Sequence, residues 1–389
     1  MSVVGLCRLV RDLERNAGLA DELKAAPEAV LARYPLGDDE REAVLDLDAA
    51  RLLALGLNPL PLRNLVTLLG VGNPEIYSHT KSLRTASAAG RTQRRGSSMS
   101  LWTDALGAEV RFHQAGPWRT RALEAGSGDR HVILLSGITG HVEGWSRNVV
   151  PLAERGLRVH AIDALGHGFT DKPTDIEYIA PNFAEHVIAF MDALGIEKAD
   201  LVGQSLGGWI ALYTAKTHPE RVGRLVHVTG AGILLDDEAR AREAANVGNA
   251  VATVTKRALE APTRESVRKR LEWLMYKPET VTDELVESRY RIYTLPDSQA
   301  AMPKLVAEAP GEANRPYMLT EADLAALPHE TLILWSDHNP TTPPEVGRRA
   351  AEIMPNATFD MIHDAGHWPM FEQPEAFNRV VGAFLTKDA

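Results

Sequence analysis

The sequence predicts an α/β fold built on a mainly parallel sheet and preceded by a small all-α domain. Three observations predict it. From about residue 100 onward, short β-rich runs alternate with helical segments; Gly203, Ser205 and Gly207 form a Gly-x-Ser-x-Gly turn between one such run and a helix; and residues 3–70 carry helical punctuation throughout.

The 389 residues suffice for one large domain and a smaller one, and 44% apolar with 24% charged residues is an ordinary globular balance. A net charge of −10 argues against a general nucleic-acid binder. Cys7 is the single cysteine, so neither an intrachain disulfide nor a Cys-x-x-Cys motif can form, and a cytoplasmic location is expected. Arg8, Arg11 and Asp12 interrupt the apolar stretch a signal peptide needs, and no run approaches membrane-spanning length. Neither export nor membrane contact is expected.

The first domain is assigned to residues 1–75. Leu6, Leu9, Val10 and Leu13 share the spacing of one buried helix face, Asp21 is a candidate cap for a second helix, and Asp39 with Glu42 resembles a capping box. Pro61 suits a first helical turn, while Gly56 and Gly70 stand where helices end. Residues 76–99 form a basic linker, in which HTKSLRTASAAGRTQRRGSSM at 79–99 holds five Lys or Arg and no acid.

Residues 100–389 form the α/β domain. Its strands are expected at Val132–Leu135, Val159–Ile162, Ala199–Val202, Leu225–Val228, Thr331–Trp335 and Thr358–Ile362. GSGDR at 126–130 reads as a hairpin turn. Between about 232 and 325 the alternation stops and the chain turns charged and helical, without a clear buried strand. That interval is expected to be a helical lid inserted between two sheet strands.

A reactive serine needs a base within reach, a group to orient that base, and donors for an oxyanion. Ser205 follows the run Ala199–Val202 and precedes a helix, so its hydroxyl is expected above the carboxyl edge of the sheet. His367, just past the last strand, lies in a loop at the same edge. His363 and His367 stand four apart, yet Gly366 argues against the helix that would pair them, so no metal and no cofactor is expected.

SGITGHVEGWSRN at 136–148, AIDALGHGFTDKP at 161–173, GQSLGGWIAL at 203–212 and GHWPMFEQPEAFNRVV at 366–381 together resemble an α/β-hydrolase. More narrowly, they resemble the meta-cleavage-product hydrolases, which split carbon–carbon bonds in ring-opened catechols. The resemblance implies Ser205 as nucleophile, His367 as base, and the backbone N–H groups of Ile138 and Leu206 as the oxyanion hole, each such donor worth roughly 3 to 4 kcal/mol. It places Gly137, Trp368 and, in ELVESRYRIY at 284–293, Arg289 at a small-molecule substrate whose carboxylate the arginine binds. This chain departs from the family at Ser136, usually His, and at Gln204, often Asn, both of which the resemblance places at the substrate pocket. It departs again at Asn339 in LILWSDHNPTTPP, where the family has the aspartate that orients the histidine; Asp337 on the same loop is the other candidate for that role, and Asp364, only three residues from His367, a poorer one. An amide oxygen at Asn339 can accept the imidazole N–H and fix the tautomer, but it cannot offset an imidazolium charge. Ester or lactone hydrolysis uses the same machinery and is the alternative activity.

LCRLVRDLERN, PEAVLARYPLGDDEREAVLDLD and LLALGLNPLPLRNLV, within residues 3–72, resemble the small LigA-type subunit of LigAB-type extradiol dioxygenases. That subunit supplies no iron ligand. The resemblance implies a homodimer contact or a contact with a dioxygenase. A non-enzymatic reading, an adaptor that recruits a dioxygenase or a peptide through this domain, rests on Asn339 alone.

Overall fold

The structure is a computed structural model and describes residues 4–57, 59–71, 82–83, 100–235 and 262–387. Nearly all of the basic linker and residues 236–261 of the expected lid lie outside the described residues. The chain divides into two compact units, Met1–Ser97 and Ser98–Ala389.

In the first unit, helices α1 (Val4–Arg15), α2 (Ala17–Ala25), α3 (Pro27–Leu31), α4 (Asp38–Leu45), α5 (Ala49–Ala54) and α6 (Pro59–Leu68) surround a core of their own. Leu6, Leu9, Val10 and Leu13 are buried in it, as their spacing required. The caps fall elsewhere than expected. Asn16 caps α2, its Oδ1 accepting from Gly18 N at 3.1 Å, and Asp21 lies inside that helix. Gly37 begins α4 with Glu40 Oε2 accepting its N–H at 2.8 Å, so Asp39 falls in the first turn. Several acidic residues in succession left the frame of that capping box ambiguous. Gly56 and Gly70 do end helices, each with a φ of 97°.

The second unit is built on an eight-stranded sheet of order β1-β2-β4-β3-β5-β6-β9-β10. Its strands are β1 (Glu109–Ala115), β2 (Trp118–Ala125), β3 (Arg130–Leu135), β4 (Leu157–Ile162), β5 (Ala199–Gln204), β6 (Val222–Val228), β9 (Thr331–Ser336) and β10 (Ala357–Ile362). β1 pairs with β2, and β2 with β4, in antiparallel fashion, and the remaining pairs are parallel. The β1–β2 pair escaped the sequence reading because Arg, Glu and His interrupt its apolar residues. Along the central strands Val132, Leu134, Val202 and Val226 join one apolar core while Ile133, Leu135, Leu201 and Leu225 join another. A sheet covered on both faces produces such unbroken apolar runs.

GSGDR is not a hairpin turn. β2 and β3 are not neighbours, and the loop crosses the start of β4, so closely that a Cβ on Gly126 would lie 2.2 Å from Leu157 O and one on Gly128 1.9 Å from Gly156 O. Glycine is required there by approach to another backbone, which the sequence could not distinguish from a tight turn.

Helices α7 (Leu101–Asp104), α8 (Val149–Ala153), α9 (Ala180–Ala193) and α10 (Leu206–Thr217) precede the interval between β6 and β9. Within that interval stand α11 (Arg264–Leu274), α12 (Asp283–Tyr293), α13 (Pro296–Glu308) and α14 (Glu321–Ala326). It also holds a two-residue parallel pair, β7 (Ile233–Leu234) with β8 (Leu319–Thr320), which the charged composition concealed. Helices α15 (Pro344–Ile353), α16 (Pro369–Glu372) and α17 (Pro374–Leu385) complete the unit. No helix of the described residues is long and apolar enough to cross a membrane.

Candidate active site

The strand order runs outward in opposite directions from β3 and β5, so the loops leaving their carboxyl ends diverge and leave a crevice between them. Leu135 pairs with Gly203 in that register, which brings the 136–141 segment beside the turn at Ser205. Asn339 leaves the carboxyl end of β9, and His367 that of β10. Four separate loops thus converge on one edge of the sheet.

Ser205 sits at the turn from β5 into α10 with φ 54° and ψ −119°, a conformation disfavoured for any residue with a side chain. Its neighbours make that possible. A Cβ on Gly203 would lie 2.1 Å from Gly207 O, and one on Gly207 would lie 2.2 Å from Leu135 O. The backbone is held by Ser205 N donating to Val228 O at 3.0 Å and by Ser205 O accepting from Gly208 N at 2.9 Å. Leu206 opens the helix, where its N–H has no acceptor within α10.

Across the crevice, Gly137 approaches so closely that an added Cβ would lie 2.9 Å from Ser205 Cβ. Its N–H donates to Gln204 Oε1 at 3.0 Å, leaving Ile138 as the next backbone donor along that segment. Thr139 follows with a φ of 59°.

His367 is buried, and its Nδ1 lies 2.8 Å from Asn339 Oδ1. Asn339 Nδ2 donates to Thr342 O at 2.9 Å, so the amide is oriented with its oxygen toward the imidazole. Thr341 Oγ1 donates to the same Oδ1 at 3.0 Å and lies 3.1 Å from His367 Nδ1. With Nδ1–H donating to Asn339, Nε2 is the basic nitrogen. Burial, reinforced by the charge of Arg270, pushes the imidazole pKa down to about 3. Asp337 serves elsewhere: its Oδ2 accepts from Asp364 N at 3.1 Å and lies 3.2 Å from His363 Nδ1, which pins the turn after β10. Asp364 is part of that turn, with a φ of 56°.

Gln204 was expected to border substrate. Instead its amide joins two loops: besides accepting from Gly137 N, it donates through Nε2 to His367 O at 3.0 Å. Thr229 Oγ1 donates to the same carbonyl at 3.0 Å. Gln204→Leu is therefore expected to destabilise the fold by about 1–3 kcal/mol, because Gly137 N would be buried without an acceptor. Turnover should fall about 10- to 100-fold as the histidine loop loosens. Urea unfolding beside steady-state rates measures both, and unchanged values would show the bridge to be dispensable.

Two arginines complete the site. Arg289, on α12, is 1% exposed, lies over the Trp368 ring at 4.3 Å, and donates through Nη1 to Thr139 O at 3.2 Å. Tyr293 Oη accepts from the same Nη1 at 2.8 Å. Among the described residues, Arg289 Nε and Nη2 find no acceptor. Arg270, on α11, is 4% exposed, and its Nη2 lies 3.5 Å from Ile138 O. One turn further along that helix, Leu274 O accepts from His367 N at 2.7 Å. Sequence reasoning passed over Arg270 and Thr341. A signal for the first existed, since Arg270 shares the helical stripe of buried Val267, Leu271 and Leu274.

A serine on a strained strand-to-helix turn, a buried histidine held by an amide and a glycine-lined backbone segment, all at one edge of this sheet, are the features of a serine-type α/β-fold hydrolase. A family profile described as alpha/beta hydrolase fold matches residues 130–374. The chain belongs to that family and, within it, to the meta-cleavage product hydrolases. It is 32% identical to the 2-hydroxymuconate semialdehyde hydrolase of Pseudomonas putida over 230 residues, 59% of this chain and 77% of that one. It is 30% identical to a 2-hydroxy-6-oxo-2,4-heptadienoate hydrolase of Pseudomonas putida over 286 residues, 73% of this chain and 99% of the relative. Among solved structures, a meta-cleavage product hydrolase from Pseudomonas fluorescens IP01, complexed with acetates, superposes with a TM-score of 0.63 at 30% identity, covering 72% of this chain and 98% of that one.

Proposed function

We propose that this protein hydrolyses a carbon–carbon bond in a 2-hydroxy-6-oxo-dienoate, the acid formed when an aromatic ring is opened beside a hydroxyl. The observation that carries this reading is Arg289, a buried cation beside the Ile138–Thr139 segment, two of whose nitrogens find no acceptor among the described residues. A buried guanidinium is costly unless an anion joins it, and a substrate carboxylate is such an anion.

In this reading a proton first moves from the C2 hydroxyl to C5, which converts the dienol into a ketone conjugated at C2 and saturated at C5. Ser205 Oγ then adds to the C6 carbonyl as His367 Nε2 takes its proton, and the backbone N–H groups of Ile138 and Leu206 receive the oxyanion. Collapse breaks the C5–C6 bond, the electron pair passes from C5 through the conjugated system to the C2 oxygen, and that oxygen receives the proton His367 took from Ser205, releasing a 2-hydroxy-2,4-dienoate. Water releases the acid from Ser205 by the same base. Gly137 permits the close approach, while Trp368 backs Arg289. Asn339 holds the imidazole throughout. Helices α11, α12 and α13 act as a lid whose inner face supplies the arginines.

The N-terminal unit is read as a LigA-type all-α module that contacts a second copy of the chain or a ring-opening dioxygenase. A separate apolar core within its helices supports an independently folding module.

Arg289→Gln is expected to raise KM for an acidic dienol about 10- to 100-fold, corresponding to loss of roughly 1.5–3 kcal/mol from a charge-assisted bond, and to leave KM for a neutral aryl ester within about twofold. Bleaching of the coloured dienol and release of the ester's phenol measure the two. Equal effects on both substrates would remove the arginine from substrate binding.

A further inference from the structure

Glu372 ends α16, just beyond the catalytic histidine, and no step of the proposed reaction uses it. Its two carboxylate oxygens face two different segments of chain. Oε1 accepts from Gly366 N at 2.9 Å and from Trp368 N at 3.4 Å, the residues on either side of His367. Oε2 accepts from Tyr276 N at 2.8 Å, in the turn that leaves α11. The two segments also touch directly, since Leu274 O accepts from His367 N at 2.7 Å and a Cβ on Gly366 would lie 2.5 Å from that same oxygen. The Tyr276 ring stacks on His338, next to Asn339 in the chain, with centroids 3.6 Å apart. The foot of α11, the first helix of the proposed lid, thus lies flush on the loop that carries the base, and one side chain ties the two.

A carboxylate withdrawn from water keeps its charge only where N–H groups replace the lost solvent. Burial pushes the Glu372 carboxyl up to about 7, against the pull of backbone N–H groups from Tyr276, Gly366, Trp368 and Lys277. Donors from both segments are therefore needed together: withdrawal of either set leaves the charge under-solvated and weakens its hold on the other. We infer that Glu372 is a positioning residue for His367, whose carboxylate fixes the base loop and the foot of α11 as one unit, so that the imidazole is aligned only while that foot is seated. This rests on His367 as the base, which the proposed reaction shares with ester hydrolysis. An amide cannot take the same place. Glutamine offers one acceptor oxygen, and its NH2 must then confront the N–H groups of the other segment.

The test uses the full-length protein and a neutral aryl ester at about pH 8, where the carboxylate is charged, with reactive serines counted by labelling to completion with a fluorophosphonate. Glu372→Gln is expected to lower kcat per titrated serine at least about fivefold with KM held within about threefold, because the base is displaced while the surfaces that bind the ester are not. Glu372→Asp, which keeps both oxygens on a shorter stem, should fall between and serves if the glutamine variant does not fold. A merely structural role would reduce the number of titrated serines instead. A fall in kcat per serine of less than about fivefold in the glutamine variant, or none in the aspartate variant where only that one folds, would overturn the assignment. Amide exchange in the wild type supplies a second reading that needs no variant: Tyr276 N–H and Gly366 N–H should open together, with protection factors within about fivefold of each other. A wider gap would show that the foot of α11 lifts without disturbing the base loop, and would overturn the coupling. If the coloured dienol stays intact while the ester and exchange results hold, the proposed reaction falls and the role of Glu372 stands. A dienol hydrolase whose kcat per serine ignores Glu372 gives the reverse.

Discussion

Ser205→Ala is expected to lower kcat on the dienol by about three to six orders of magnitude, the range reached when a nucleophile acting as a unit with its base is removed. Binding should survive. Alanine keeps the Cβ that the turn already accommodates at φ 54°, and the packing of Gly203, Gly207 and Gly137 is untouched, so the elbow itself has no reason to shift. Arg289 and Trp368 lie on other elements and still offer their surfaces. Titration of the dienol into the variant should therefore give a Kd within a few fold of the wild-type KM, while product release is lost. Turnover preserved in the variant would mean that water attacks the carbonyl directly and that Ser205 only polarises it.

The second large effect concerns Asn339. An aspartate there would place a negative charge against His367 Nδ1, where the present contact of 2.8 Å supplies only a neutral acceptor. In the folded protein burial already pushes this imidazole down to about 3, below its ordinary value. The unfolded chain thus binds a proton that the native state refuses between about pH 6.5 and pH 3, and stability is lost as the pH falls through that window. For the same reason the acid limb of kcat/KM should lie well below pH 6.5 in the wild type. Asn339→Asp should move that limb upward by about 1 to 3 pH units and leave turnover at neutral pH unchanged or higher. Asn339→Ala should lower turnover by about two to four orders of magnitude, because nothing but Thr341 would then hold the tautomer. An acid limb that stays put in the aspartate variant would show that the amide does not face the titrating group.

How much of this was legible in the sequence follows from the range of the interactions involved. Ser205 was readable because a strained turn between strand and helix needs glycines at fixed local spacing. The strands from β3 onward were readable because a sheet covered on both faces leaves apolar runs. Asn339 and Asp337 stand two residues apart on one loop, and no local pattern separates them. The separation comes from the far side of the fold, where the turn at Asp364 and Ala365 presents its backbone N–H groups to Asp337 and leaves Asn339 to His367. Gln204 was misjudged for a similar reason. Its partners, Gly137 N and His367 O, are 67 and 163 residues distant. Arg270 left a visible mark, a charge on an apolar helical stripe, but in a chain segment rich in arginine that mark does not stand out without the packing of α11 against the histidine loop.

The measurement that tests the central claim most directly is product analysis, by mass spectrometry, of 2-hydroxy-6-oxo-2,4-heptadienoate incubated with the wild-type protein in water enriched in heavy oxygen. Scission between C5 and C6 with one heavy oxygen entering the acetate fragment, dependent on Ser205, is the expected result. An intact carbon chain after prolonged incubation, in a preparation that hydrolyses an aryl ester through the same serine, would contradict it.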